Sequence, residues 1–341
     1  MAVTIGDLIR PARGAMILSG ILTAIGAVLA VVPFIALRHM AAIWLQEGDL
    51  QGWASNPWVW AVVAVVALFA SQLLYLMGLG VTHLAEAKLR HRLRGLLVEA
   101  FSRLPLGKVA QIPHGAIRKT VCDDTAAIHT LVAHVPGDVT NALVGVATGG
   151  IYLFWTDWRL ALALLGLWAL AFVVIAGTTM RGYGDITARF GEAQTGLASA
   201  TVEMLEGIKE IKNFQATDAT RTRFSAARHR FSDLSYQWVS QSGKSISLLG
   251  ALLRPATVFA TVAILAVVFT SQGWTELSAT LPFFLLAPGL PEGVTVMIGL
   301  AQHIYESNMA AKSTAALLSE EPMPQGTFDQ GDGDAPGRVE V

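Results

Sequence analysis

Apolar and polar stretches alternate along this chain on a scale set by a lipid bilayer. Six runs are apolar over the roughly 20 residues that a spanning helix needs. They are Gly14–Leu37, Pro57–Val81, Val135–Trp155, Trp158–Met180, Ala251–Thr270 and Ser278–Gln302. Only a Trp-Thr-Asp-Trp-Arg turn, residues 155–159, joins the third run to the fourth, which predicts a tight hairpin. The segments after the second and fourth runs are long and polar, yet they are not loops in composition. They lack proline–glycine clusters and are rich in Ala, Leu, Glu and Arg, so the pattern predicts helices that continue the spans as two stalks. From Arg181 to Glu206 such a helix rises roughly 38 Å at 1.5 Å per residue. The expected fold is an all-α membrane protein with six transmembrane helices and two long helical stalks.

Composition sharpens this reading. Of 341 residues, 53% are hydrophobic and only 14% charged, where a soluble domain carries about 25% charged residues. A net charge of −1 gives no reason to expect a nucleic-acid partner. The single cysteine, Cys122, excludes an internal disulfide and a cysteine-cluster metal site. The first apolar run has 24 uncharged residues, long for a signal peptide and long enough to stay as an uncleaved first helix. The bias of 17 Arg against 7 Lys is the habit of a GC-rich bacterial genome, so a bacterial inner (plasma) membrane is the expected location.

Charge distribution sets the orientation. The amino terminus carries 2 basic residues, residues 83–134 carry 8, residues 181–254 carry 10 and the tail carries 2, leaving only Arg38 and Arg159 elsewhere. The positive-inside rule places both termini and both stalks in the cytoplasm of a multi-pass protein. Trp44, Trp53, Trp58, Trp60, Trp155, Trp158 and Trp274 fall near the opposite boundary, as an interfacial aromatic belt would.

The far end of the second stalk carries an apolar stripe. Met204, Ile208 and Ile211 share one helix face, with Glu206, Lys209, Glu210 and Asn213 on the rest. Such a stripe docks on another protein or packs against the neighbouring helix, and spacing alone leaves both open. Other candidates carry less. Gly243-Lys244-Ser245 ends like a phosphate-binding loop, but Trp238 stands where the first glycine must be and the stretch lies inside a helical stalk. His129 and His134 are five apart, which on an α-helix sets them on different faces, so no metal site is expected. His39 beside Arg38 reads as a snorkelling side chain or as a contact for an anionic substrate. Glu292 lies near the middle of the sixth run, where a carboxylate costs roughly 2.5–3.5 kcal/mol or more and must face a cavity or a partner. It is a substrate or proton contact, or else a structural pair with Arg38 or another subunit. Pro288, Gly289, Pro291 and Gly293 should break that helix locally. The pairs Gly145/Gly149 and Gly289/Gly293 have the spacing of close helix packing.

Six spans, a short outer hairpin and two long stalks together resemble the transmembrane domain of exporter-type ABC transporters, over residues 10–320. "SRLPLGKVAQIPHGAIRKTVCDDTAAI" is similar to that family's first intracellular loop in its Leu104-Pro105-Leu106 turn, Gly115 and Asp124. "EGIKEIKNFQATDATRTRF" is similar to the second loop in Gly207, Lys212, Phe214, Arg223 and Phe224. The resemblance implies coupling helices at both loop tips, the first around Gly115, Arg118 and Asp124. The second would comprise Met204, Gly207, Ile208, Ile211, Lys212 and Phe214. It also implies that span six lines a central pathway, with Glu292, Gln72, Tyr75, Phe283, Phe284, Gln302 and His303 as candidate contacts. "DDTAAIHTLVAHVPGD" and "PFFLLAPGLPEGV" resemble siderophore-linked half-transporters of the yersiniabactin and mycobactin importer group.

This resemblance implies domains at 1–320 (transmembrane), 321–336 (linker) and 337–341, where "GRVEV" opens a nucleotide-binding domain whose remainder lies outside this sequence. With no nucleotide site, the chain alone is not expected to be an enzyme and needs no cofactor of its own. ATP and Mg belong to the nucleotide-binding domain, which would make the assembly an ATP-hydrolysing translocase. The implied partners are that domain, a second transmembrane half (a copy of this chain or a homologous one), the bilayer and a small-molecule substrate. The implied function is iron–siderophore uptake; the alternative is export of amphipathic drugs, lipids or peptides. A non-ATPase channel or secondary transporter is the competing class, but it predicts short loops or inverted repeats, which the pattern lacks.

Overall fold

The computed structural model describes residues 4–47, 51–112, 114–179, 183–208, 213 and 218–323. Among the described residues the chain is helical and carries no strand. The helices are α1 (Ile5–Ile9), α2 (Arg13–Leu29), α3 (Val32–Leu45), α4 (Pro57–Arg103), α5 (Leu106–Gln111), α6 (His114–Arg118), α7 (Thr125–His129) and α8 (Val135–Thr156). They continue as α9 (Trp158–Thr179), α10 (Tyr183–Glu206), α11 (Asp218–Leu252), α12 (Pro255–Ser271), α13 (Leu277–Leu286) and α14 (Leu290–Leu318). Two compact units share them: residues 1–32, 65–146 and 293–341 form the first, and residues 33–64 and 147–292 the second.

Local chemistry sets the boundaries. α1 opens on a capping box in which Thr4 Oγ1 accepts from the Asp7 amide and Asp7 Oδ2 accepts from the Thr4 amide. The predicted hairpin is present: Asp157 Oδ1 accepts from the Arg159 and Leu160 amides at 2.9 and 3.1 Å and starts α9. Gln46 takes a φ of 55° and stops α3. The next residue, Glu47, caps α13 by accepting from the Leu277 and Ser278 amides at 3.2 and 2.9 Å. Burial works against that charge, but the hydrogen bonds from Ser278 and Leu277 win and hold the Glu47 carboxyl below its usual range.

The span prediction needs two corrections. The first run is longer than Gly14–Leu37, and it continues to Leu45 through a break between α2 and α3 just before Pro33. The fifth is shorter: α12 has 17 residues and starts at Pro255, because Arg254 is extended and proline suits the first helical turn. Among the described residues five helices are long and apolar enough to cross a membrane, and α12 is a shorter apolar helix. In the sixth run the predicted break is a single 3₁₀ turn, Ala287–Gly289, between α13 and α14.

In unit 1 the membrane-type helices bury small polar residues and expose large apolar ones. Ser19, Thr23 and Thr82 are fully buried, while Ile17 and Phe69 are 65% and 70% exposed. This suits helices solvated by lipid, where close backbone approach and buried hydroxyls hold the contact. At Gly78 a Cβ would sit 3.0 Å from Thr23 Cγ2 and 3.2 Å from the Ser19 carbonyl, so α2 approaches α4 closely where α4 carries no side chain. Leu8, Ala12, Leu89, Leu93, Ile128, Val132, Ala311 and Ala315 form the unit's apolar core. Unit 2 has a core of Leu153, Leu160, Leu164, Val258, Val262 and Phe283 between α8, α9, α12 and α13. Its polar stalk is the antiparallel pair α10 and α11, joined by Ile186, Ala193 and Leu234 and by Phe190 stacked on Trp238.

Of the glycine pairs, Gly149 and Gly293 lie in close contacts. A Cβ on Gly293 would fall 2.7 Å from Val146, and one on Gly149 would fall 3.1 Å from Leu286 and Leu290, whereas at Gly145 and Gly289 it would meet open space. Gly243-Lys244-Ser245 lies inside α11, as its composition predicted. The linker and the final "GRVEV" lie almost wholly outside the described residues.

Candidate functional site

The most organised polar site lies in unit 1 and was not expected. It begins with a departure from α-helical geometry. Residues Lys119–Asp124 and Thr130–His134 are π-helical, flanking the short α7 and leading into α8. Pro136 explains the second distortion. It has no N–H for the Val132 carbonyl and its ring crowds that carbonyl, so the turn ahead of it widens. Thr125 lies between the distorted segments and donates to the carbonyls of Val121 and Cys122 at 2.6 and 3.3 Å.

A π turn closes from residue i to i+5, so residues five apart come onto one face. That overturns the expectation that His129 and His134 diverge. Their ring centroids are 5.2 Å apart, and His83 of α4 joins them at 5.2 and 5.1 Å. The three rings stand edge to face, and one ligand nitrogen of each lies within 4.8 Å of the others. Two hydroxyl ties hold the elements in place. Buried Thr82 donates to the Ala133 carbonyl at 2.8 Å, and Ser307 of α14 donates to the Ala127 carbonyl at 2.6 Å.

Each histidine has an oxygen at its Nδ1. His83 donates to the Leu79 carbonyl at 2.9 Å, and His134 to Asp138 Oδ2 at 3.2 Å. Glu86 Oε2 lies 3.1 Å from His129 Nδ1, though out of line for a hydrogen bond. A carbonyl or carboxylate can only accept, so at His83 and His134 Nδ1 carries the proton and the lone pair of the neutral ring is on Nε2. Three gathered imidazoles, two with a hydrogen-bonded Nδ1 and the third beside a carboxylate, suit a borderline divalent cation such as Zn²⁺, with a fourth coordination position left open. Glu86 is 3% exposed, and Arg90 Nε lies 3.2 Å from its other oxygen. Asp138 also accepts from the Tyr75 hydroxyl at 2.8 Å.

The residues singled out from sequence are placed as follows. Tyr75 is half-buried and bonded to Asp138, and Gln72 is exposed. Phe283 is wholly buried in the core of unit 2, so it supports packing and does not line open space; Phe284 packs against Phe259 with centroids 4.9 Å apart. Glu292 is exposed in the first turn of α14, where a carboxylate also suits the positive end of the helix dipole. It forms no ion pair with Arg38 among the described residues; Arg38 faces Tyr152 instead. His303 is exposed and lies 3.7 Å from Glu306, and the Gln302 side chain lies outside the described residues. His39 stacks on Trp60 at 4.2 Å.

For the first coupling element, Gly115 and Arg118 are exposed on α6. Asp124 is not displayed with them. It is 4% exposed in the first π segment and pairs with Lys119 at 2.5 Å, so it belongs to the interior. For the second, Met204, Gly207 and Ile208 are half-buried at the end of α10, and Ile211, Lys212 and Phe214 lie outside the described residues.

Sequence reasoning missed His83, Glu86 and Asp138, and it separated the two other histidines. The available signal was Pro136, two residues after His134 in a helical stretch, which marks a turn that cannot stay α-helical.

Comparison with known proteins bears on the whole chain. Residues 16–289 match the family described as the ABC transporter transmembrane region. The chain is 28% identical over 352 aligned residues to the mycobactin import ATP-binding/permease protein IrtA of Mycolicibacterium thermoresistibile, covering 98% of this chain and 37% of that protein. It is 27% identical to the protein of the same name from Mycolicibacterium smegmatis, covering 92% of this chain and 36% of the relative. For that of Mycobacterium tuberculosis the identity is also 27%, over 82% of this chain and 32% of the relative. The chain thus spans about a third of the length of these relatives.

Proposed function

Because the chain belongs to the ABC transporter transmembrane-region family, we propose that it is the transmembrane half of an ATP-driven importer of iron–siderophores. The observation that carries this reading is alignment along 98% of the chain to a mycobactin import protein. Its energy comes from an ABC nucleotide-binding domain. Both stalks and both termini face the cytoplasm of a bacterial inner membrane, as the basic residues favour. The pathway is completed by a second transmembrane half, with Glu292, Gln72, Tyr75, Gln302 and His303 as the polar groups it offers to substrate. Met204, Gly207 and Ile208 with Ile211, Lys212 and Phe214 form one docking surface for the ATPase domain, and Gly115 and Arg118 form the other.

In this reading His83, His129 and His134 hold a divalent cation. Such a cation would clamp α4 to the turn that leads into α8, two elements of one unit. Three nitrogens from one chain, each with an oxygen behind it, support this more strongly than any other polar cluster among the described residues.

The test is transport by the full-length protein, assembled with its second half in proteoliposomes. Iron-loaded mycobactin should leave the compartment opposite the nucleotide-binding domains and accumulate on their side, the compartment containing ATP. Movement of drugs or lipids away from that compartment, with no siderophore flux, would transfer the assignment to export.

A further inference from the structure

Asp138 is bonded on both sides at once. Its Oδ2 takes the His134 Nδ1 proton at 3.2 Å, and its Oδ1 takes the Tyr75 hydroxyl proton at 2.8 Å. Tyr75 lies on α4 eight residues before His83, roughly 12 Å along the helix at 1.5 Å per residue. One carboxylate therefore connects the histidine cluster to a point more than two turns deeper in the apolar part of the same helix. The carboxylate is only 20% exposed, so it is not free to exchange these partners for water at will.

We propose that Asp138 is a positioning residue shared between the histidine cluster and Tyr75, so that a cation on the three histidines fixes the Tyr75 hydroxyl. This rests on the reading of the cluster as a cation site and goes one step beyond it. A carboxylate behind a ligating imidazole sets the tautomer and the ring orientation and raises the basicity of the ligand. With a cation on Nε2, the Nδ1–H is more strongly polarised and holds the carboxylate harder. The same carboxylate then presents a fixed acceptor to Tyr75. Because equilibrium coupling is reciprocal, anything that pulls the Tyr75 hydroxyl away from Asp138 must loosen the cation by the same factor. A ligand in the membrane that competes for that hydroxyl would be sensed at the histidines through one side chain.

The experiment uses the full-length transporter with its second half in nanodiscs. Zn²⁺ affinity is measured by competition with a chromophoric chelator, and tyrosines, among them the 5 of this sequence, are labelled as 3-fluorotyrosine and followed by ¹⁹F NMR. In the unsubstituted protein, Zn²⁺ should bind and shift one resonance, which is missing in Tyr75→Phe. Asp138→Ala should weaken Zn²⁺ by about 10–100-fold, and at saturating Zn²⁺ the Tyr75 resonance should no longer respond. Asp138→Asn keeps the size and one acceptor, and guards against misfolding of the alanine variant; about tenfold weaker binding is expected for it. Unchanged Zn²⁺ affinity in both Asp138 variants overturns the proposal and leaves the cation site standing. A Tyr75 resonance that still shifts in Zn²⁺-loaded Asp138→Ala overturns the shared link. If the unsubstituted protein takes up no Zn²⁺, the cation reading falls and this inference with it.

Discussion

The two polar stalks begin from similar compositions and end as different kinds of structure. The second, α10 with α11, is regular α-helix closed by an apolar seam, and its charges pair at the surface: Arg223 with Glu203 at 2.9 Å, at 72% and 49% side-chain exposure. The first, from Thr82 through α7 to α8, is interrupted twice by π turns and draws its charges inward. Glu86 and Asp124 are 3% and 4% exposed, each beside a cation or an imidazole, and the three histidines gather next to Glu86. A regular helix hides an apolar stripe and leaves its polar residues in solvent. A widened turn changes which residues share a face, and so lets ionisable side chains meet where an unbroken helix would keep them apart. One stalk is a regular helix pair with its charges in solvent, and the other gathers ionisable side chains in its interior.

The largest expected effect tests that contrast directly. Removing the cation with a chelator should lower the melting temperature of the full-length protein by the equivalent of about 2.7 kcal/mol where free cation stood at a hundred times its Kd. In His129→Ala the same treatment should do nothing. If the variant responds like the parent protein, the stabilising ion is bound elsewhere and the first stalk has no special chemistry. Next comes Ile208→Asp at the tip of the second stalk. A carboxylate placed in a docking interface should cost roughly 3–5 kcal/mol of docking when left unpaired. Substrate-stimulated ATP hydrolysis should collapse while Zn²⁺ binding is untouched; normal stimulation would reduce the Met204–Ile208 stripe to stalk packing.

Two ionic contacts give the smaller effects. Glu86→Ala removes a buried carboxylate that lies beside both Arg90 and His129, and should destabilise by about 1–3 kcal/mol in a denaturation measurement. Arg223→Ala breaks only an exposed pair, and should change stability by less than about 0.5 kcal/mol. Equal losses in the two variants would erase the distinction between the stalks.

What was legible in the sequence follows from which features a fixed period can carry. The apolar runs other than the ends of the first and fifth, the hairpin capped by Asp157, and the pair α10 and α11 all obey the 3.6-residue period or a local cap, and they lie where the pattern puts them. The loop motifs at Leu104–Leu106 and Gly207 pointed to the family that residues 16–289 match. The histidine cluster was invisible because the wheel used to judge His129 and His134 assumed an α-helix throughout. Asp124 was misplaced for a related reason, since it sits in the other π segment, where Lys119 five residues earlier comes back to meet it. Phe283 looked like a pathway aromatic because sequence gives the run it belongs to, but not which face of the run is turned inward.

The π turns also change how this chain can vary. A helix advances by about 100° per residue, so a π turn is equivalent to one residue spliced into an α-helix without breaking it. Losing a residue from Thr130–His134 would leave a continuous helix whose downstream part, α8 with Asp138, is rotated by about that angle relative to His129. The helix would survive a change of phase that the cluster would not. Length in this short segment is therefore under a tighter constraint than identity at most of its positions, and its register, counted in whole residues, is what keeps His134 and Asp138 in phase with His129.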